Sequence, residues 1–447
     1  MSQREEEEEE EEQQQQQPRV VVSKTYTTNV EPENPLPLDW TKLGVGGGGG
    51  GEDGSFPVRY PNDVTEWSPD DTEVCIVGTA GQKITVLGTV FSDPEKTNIS
   101  ELTSLVLRSH LIKDMAGLGS LPKLNTLELY DNMVQSLDEI SLKGCGQMTL
   151  RVLDMSYNAI RDMSPIQYCN GATLTELYLA NNKLKSISGL SHLTNLRKLD
   201  LGANKIRVLD KTELSGLKNL EELWIGKNKI ESLEGIESLT NLKRLDVQSN
   251  RLTTISNDED GECYLNAQRN TLEELYLAHN GLDDDGISGL LSSSSSTSGS
   301  TFPQLTTLDL SNNRLTTTAP LVFDSKKNNN NSSTAVGLHW PMLEELWLSA
   351  NLITDFEAIY SLKEASDNNQ LPKLETVYLE YNPVSKDFEY RKKLAEFIPT
   401  LQQIDATMIR GYGSVPKPSG DGAGGGTTED RLRVLQAAAI QRAKQQQ

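Results

Sequence analysis

One recurring position in this chain alternates carboxylate and aromatic ring without exception: Asp154, Tyr178, Asp200, Trp224, Asp246, Tyr276, Asp309 and Trp347, with Tyr378 next. Rings at such a spacing offer rigid apolar area with a polar edge, and carboxylates offer ion pairs. Together they suit a grip on a cationic protein surface. They do not suit catalysis, because a repeat sets acids in rows and gives no secluded pair with separated pKa values. The chain has no zinc-ligand spacing and no G-x-S-x-G. Gly78-Thr-Ala-Gly-Gln-Lys83 lacks the spacing and the following Ser or Thr of a phosphate loop. An enzyme is not expected, nor any cofactor or metal.

The column recurs because the chain repeats. Eleven copies of L-x-x-L-x-L-x-x-N-x-[ILV] run from Leu102 to Val384, with Asn in ten of the turn slots and His110 in the first. Such a pattern predicts an α/β solenoid, a leucine-rich repeat right-handed coil with a parallel concave sheet. Three leucines of each copy point inward, and the Asn amide satisfies backbone groups that the turn leaves unpaired. One coil cannot bury its leucines alone, so coils must stack and the end coils need covers. Return arms carry apolar residues three apart, as in Ile112, Met115, Leu118, Leu121 and in Ile230, Leu233, Ile236, Leu239. That spacing predicts irregular or 3₁₀ convex arms. His110 is read as an imidazole replacing Asn in the first turn, not as a base or ligand.

Composition bounds the rest. The chain has 447 residues and net charge −22, no apolar run of membrane-spanning length, and an N-terminus unlike a secretory signal. No membrane partner is expected, and the four scattered cysteines read as reduced thiols of a nuclear and cytoplasmic protein. Residues 1–72, with Glu5–Glu12, Gln13–Gln17 and Gly46–Gly51, read as a low-complexity tail whose acidic run is merely solvated. Residues 73–101 contain a degenerate half-coil that would cover the N-terminal end. The repeats occupy 102–384, a C-terminal helical cap 385–411, and a linker with a short tail helix 412–447. Repeat intervals grow from 22 residues to 30, 33, 38 and 31 after Leu242, the surplus lying in Ser- and Asn-rich text such as Ser292–Ser296 and Asn328–Asn331. These are expected on the return-arm side, leaving the strand face intact.

A second column, just before the second leucine, reads Glu176, Lys198, Glu222, Arg244, Glu274 and would neutralise itself as an ionic ladder. The acid–aromatic column has no cations of its own and is expected to leave rings and unpaired carboxylates in solvent. A patch of that kind marks an interface. Its acidity argues for a basic protein partner and against nucleic acid.

The segments ELYDNMV (128–134), LGANKI (201–206), IGKNKI (225–230), VQSNRLT (247–253) and LAHNGL (277–282) are distinctive. LETVYLEYNPVSKDFEYRKKL (374–394) and IPTLQQIDATMIR (398–410) are more so. Together, over roughly residues 102–411, they resemble the regulatory subunits of type 1 protein phosphatase built from 22-residue leucine-rich repeats. The resemblance implies a non-catalytic subunit of nucleus and cytoplasm that holds the phosphatase catalytic subunit on its concave face and is monomeric without it. Carried onto matching positions, the family's contact residues are Tyr178, Asp200, Trp224, Asp309, Glu345, Trp347 and Tyr378. Tyr178 and Trp224 stand where the family typically has Phe, and Asp200 where it has Glu. The alternative is an adaptor of the same repeats for an axonemal dynein or splicing-particle partner.

Overall fold

In the computed structural model the described residues are 72–78, 83–84, 87, 101–257, 262–290, 302–322 and 340–409. Most of the acidic tail, the Ser292–Ser296 and Asn328–Asn331 inserts, and the 412–447 segment lie outside them. The strands are β1 (Glu73–Val77), β2 (Ser104–Arg108), β3 (Thr126–Glu128), β4 (Val152–Asp154), β5 (Glu176–Tyr178), β6 (Lys198–Asp200) and β7 (Glu222–Trp224). They continue as β8 (Arg244–Asp246), β9 (Glu274–Tyr276), β10 (Thr307–Asp309), β11 (Glu345–Trp347), β12 (Thr376–Tyr378), β13 (Gln403–Ile404) and β14 (Thr407–Met408). All lie in one sheet in sequence order. Every neighbouring pair is parallel except β13 and β14.

Period-two geometry sets each strand's two faces. In β5, Leu177 is fully buried while Glu176 and Tyr178 flank it on the opposite face, partly exposed. The same order holds along the wall. Return arms close the core from the other side: Ile112, Met115, Leu118 and Leu121 are all fully buried, with a 3₁₀ turn at Leu118–Ser120. Each such side chain removed from water stabilises the fold by about 1.5–3 kcal/mol. Among the described residues four arms or ends are helical: α1 (Glu139–Gly144, capped by Asp138), α2 (Lys211–Leu214), α3 (Tyr360–Asp367) and α4 (Tyr390–Phe397). Helix α3 absorbs part of the long interval between Leu343 and Leu374, which the sequence reading gave wholly to a loose insert.

The asparagines stitch coil to coil. Asn228 Oδ1 accepts from Ile206 N–H of the preceding coil at 3.0 Å, while Nδ2 donates to Leu201 O, Ile225 O and Gly226 O. Asn132, Asn182, Asn204, Asn313 and Asn351 repeat this arrangement. His110 takes the accepting half of the role, its Nδ1 receiving Ile84 N–H at 3.2 Å, as the substitution reading expected. The residue before each turn residue is left-handed: Ser109, Asp131, Tyr157, Asn181, Ala203, Lys227 and onward to Tyr381, with φ between 52° and 64°. Non-glycine side chains tolerate this only where surrounding bonds fix the turn.

At the C-terminal edge Asp405 ends the ladder. Its Oδ1 accepts Leu379 N–H and Glu380 N–H, at 2.9 and 3.0 Å, where another coil's carbonyl would otherwise lie. Tyr390 and Leu394 of α4 are buried against the same end, and Arg391 donates to Ile404 O.

Candidate functional site

Strand register brings the predicted column into one row. Tyr178 faces Asp200, Asp200 faces Trp224, Trp224 faces Asp246, and Asp246 faces Tyr276. Beyond it Tyr276, Asp309, Trp347 and Tyr378 continue as lateral neighbours. Six of the seven site residues lie in this row. Glu345 occupies the adjacent row, on the same face as Trp347 two residues along β11. All the rings of the row are half-buried, so each keeps part of its surface in water. Trp347 and Tyr378 meet at 5.1 Å between centroids, tilted by 59°.

Ring polar atoms are held by carboxylates of the adjacent row. Tyr178 O–H donates to Glu176 Oε2 at 2.6 Å and Tyr276 O–H to Glu274 Oε2 at 2.7 Å. Trp347 Nε1–H donates to Glu345 Oε2 at 3.1 Å. The pairing repeats because residues two apart on a strand share a face. It orients the rings in advance, which lowers the ordering cost of binding. Burial and the neighbouring glutamate push the Tyr178 and Tyr276 hydroxyls well above the usual tyrosine range, keeping them neutral donors. Tyr378 instead receives Gln403 Nε2–H at 2.7 Å.

The adjacent row balances itself as expected: Lys198 pairs with Glu222 at 3.5 Å, and Arg244 with Glu274 at 2.6 Å. The acids of the main row depart from expectation. They are not unpaired carboxylates in solvent. Asp154, Asp200, Asp246 and Asp309 each accept the N–H two residues on, from Ser156, Gly202, Gln248 and Ser311, at 2.8–3.0 Å. Each strand stops at its aspartate, and the following chain turns a backbone donor back toward it, forming an Asx turn. Asp309 is only 4% exposed. Burial raises the Asp154 and Asp200 carboxyls above the ordinary aspartate range, partly offset by those N–H bonds.

Among the described residues no group of His, Cys, Asp and Glu is placed to hold a metal, and no helix is long and apolar enough to cross a membrane. Cys145, Cys169 and Cys263 are free and buried; burial pushes the Cys169 thiol up to about 12.

Comparisons with known proteins fit this geometry. The Leucine rich repeat family matches residues 148–206 and 194–252, with further leucine-rich repeat matches at 268–291 and 304–325. A leucine-rich repeat protein of Leptospira interrogans superposes with TM-score 0.54 at 21% identity, covering 74% of this chain and 72% of its own. An internalin of Listeria monocytogenes gives 0.53 at 22%, covering 74% and 79%. The fold is a leucine-rich repeat solenoid. Among curated proteins, Protein phosphatase 1 regulatory subunit 7 of Homo sapiens is 48% identical over 52 residues, 11% of this chain and 14% of that one. That of Danio rerio is 60% identical over 37 residues, 8% and 11%. Protein phosphatase 1 regulatory subunit SDS22 of Schizosaccharomyces pombe is 44% identical over 69 residues, 15% and 19%. Each alignment of this solenoid spans less than a fifth of the relative's own length.

Proposed function

We propose that the chain is a non-catalytic regulatory subunit that holds the catalytic subunit of a type 1 serine/threonine protein phosphatase against its concave wall. The observation that carries this reading is the continuous row of rings and carboxylates from Tyr178 to Tyr378, four of whose five rings are held by hydrogen bonds. The names of the short-matching relatives and the C-terminal sequence resemblance support the choice of partner. In this reading Trp224 and Trp347 are the anchors, Tyr178 and Tyr378 extend the contact, and Asp200, Asp309 and Glu345 supply negative field toward Lys and Arg of the phosphatase. Because Asp200 and Asp309 also hold backbone N–H groups, they act as fixed charges, not as mobile ion-pair arms. Fixed charge favours orientation and association rate over raw affinity.

The test is capture of purified type 1 catalytic subunit by the full chain carrying Trp224→Ala and Trp347→Ala together. Central aromatic anchors contribute about 2 kcal/mol or more each, so binding should weaken by at least ~10³-fold while the far-ultraviolet spectrum is unchanged. Undiminished capture rejects the assignment, and recovery of dynein or splicing proteins in place of phosphatase would favour the adaptor reading.

A further inference from the structure

The asparagine turns carry a second charged surface, opposite in sign to the concave wall. The five turn segments 157–161, 181–185, 203–207, 227–231 and 249–253 contain eight Lys or Arg and one acid, Glu231. That concentration of cations stands out in a chain of net charge −22. Backbone bonds hold the segments in register. Lys183 N–H donates to Ile160 O, Lys205 N–H to Leu184 O, Lys229 N–H to Ile206 O and Arg251 N–H to Ile230 O, all at 2.8–2.9 Å. Leu184, Ile206 and Ile230 are buried, so residues on either side of each project outward. The result is two parallel rows of cations, Lys183–Lys205–Lys229–Arg251 and Arg161–Lys185–Arg207, about 7 Å apart with steps of about 4.8 Å.

Five of the seven cations in the two rows lack an ion pair within the described residues. Arg251 reaches Glu231 at 3.7 Å at one end. None of Arg161, Lys183, Lys185, Arg207 and Lys229 has an ion-pair partner among the described residues. The acids nearest in sequence, Asp162 and Asp210, accept the N–H groups of Ser164 and Thr212 and form no ion pair with the ridge among the described residues.

We propose that this ridge is a docking rail for an extended acidic peptide, and that the chain's own Glu5–Glu12 run is the occupant. The inference is independent of the phosphatase reading. Eight consecutive glutamates spaced by about 3.4 Å extend over about 24 Å, more than the ~14 Å of the four-coil row, so the run is long enough to bring carboxylates to every cation of the ridge. Residues 13–71 connect the run to the first coil, and the ridge centre lies only about five strand spacings, ~24 Å, from β1. A tethered segment within reach acts at high effective concentration. A nucleic acid fits less well, because the turn segments 181–185, 203–207, 227–231 and 249–253 hold no aromatic side chain on which bases could stack.

The test uses the full chain. Carboxyl-to-amine crosslinking at ~50 mM salt should join Glu5–Glu12 to Lys183, Lys185 and Lys229 within one molecule, and ~300 mM salt should suppress it. A second arm titrates a labelled octaglutamate peptide. The chain with all eight glutamates changed to Gln should bind it at least tenfold tighter than the unaltered chain. Adding Lys183→Glu, Lys185→Glu and Lys229→Glu should remove that binding with the fold intact. Crosslinks spread evenly over lysines elsewhere, equal affinity of the Gln-substituted and unaltered chains, or tighter binding of a single-stranded RNA than of the peptide would each overturn the proposal.

Discussion

Replacing Asn228 by Ala isolates what one turn asparagine contributes. Its amide makes four hydrogen bonds from a nearly buried position. Three of the groups it serves keep another partner: Leu201 O retains Asn204 Nδ2–H, Ile225 O retains Asn250 Nδ2–H, and Gly226 O retains Ala203 N–H. Ile206 N–H keeps none among the described hydrogen bonds. An orphaned buried donor costs about 1–3 kcal/mol, and three lost bonds to still-satisfied carbonyls about 0.5–1 kcal/mol each. The sum is about 2.5–6 kcal/mol. Because coils contact only their neighbours, the loss should be local before it is global. Amide exchange at Ile206 and in the two adjoining coils should then speed by ~10²-fold or more, and the urea midpoint should fall. Asn158→Ala, at a more exposed turn that water can enter, should cost clearly less. Equal losses at the two sites, or less than about 1 kcal/mol at Asn228, would refute the orphaned-donor argument.

Further tests follow from single features. Ala203→Gly relieves a left-handed residue at φ 52° and should leave stability unchanged or raise it by up to about 1 kcal/mol in urea unfolding, where Gly in a strand would lower it. Asp405→Ala removes the acceptor of Leu379 N–H and Glu380 N–H; exchange at those amides should rise while coils near β5 stay protected. The raised carboxyls of Asp154 and Asp200 take up protons in the folded chain before they would in the unfolded one. Acidification toward the ordinary carboxylate range should therefore favour the fold at these two sites, a contribution lost as pH rises through the folded pKa values. The same protonation should weaken association with a cationic partner, and Asp200→Asn should flatten that pH profile.

Much of the wall was legible because leucine spacing fixes the phase of every coil, and phase alone says which residues share a row. Tyr178, Asp200, Trp224, Asp309, Trp347 and Tyr378 fell in line for that reason. The second role of the aspartates was not read, since an Asx turn depends on where a strand stops and the repeat consensus does not mark that point. The left-handed turn residues were hidden more deeply. Asp131, Ala203, Lys227 and Tyr381 share no side-chain chemistry, because the conformation is imposed by the asparagine network and not by the residue that adopts it. Helix α3 and the Phe302–Trp340 stack at 5.9 Å, with Trp340 Nε1–H donating to Leu321 O, fill arms of irregular length where spacing carried no signal.

Each turn asparagine reaches back across a single coil boundary and no farther. A duplicated coil spliced between any two others would therefore meet the same demands that its neighbours already fulfil, and would impose none at a distance. Wall length is thus a parameter that duplication can change one step at a time, and each odd step would invert the order of ring and acid downstream of it.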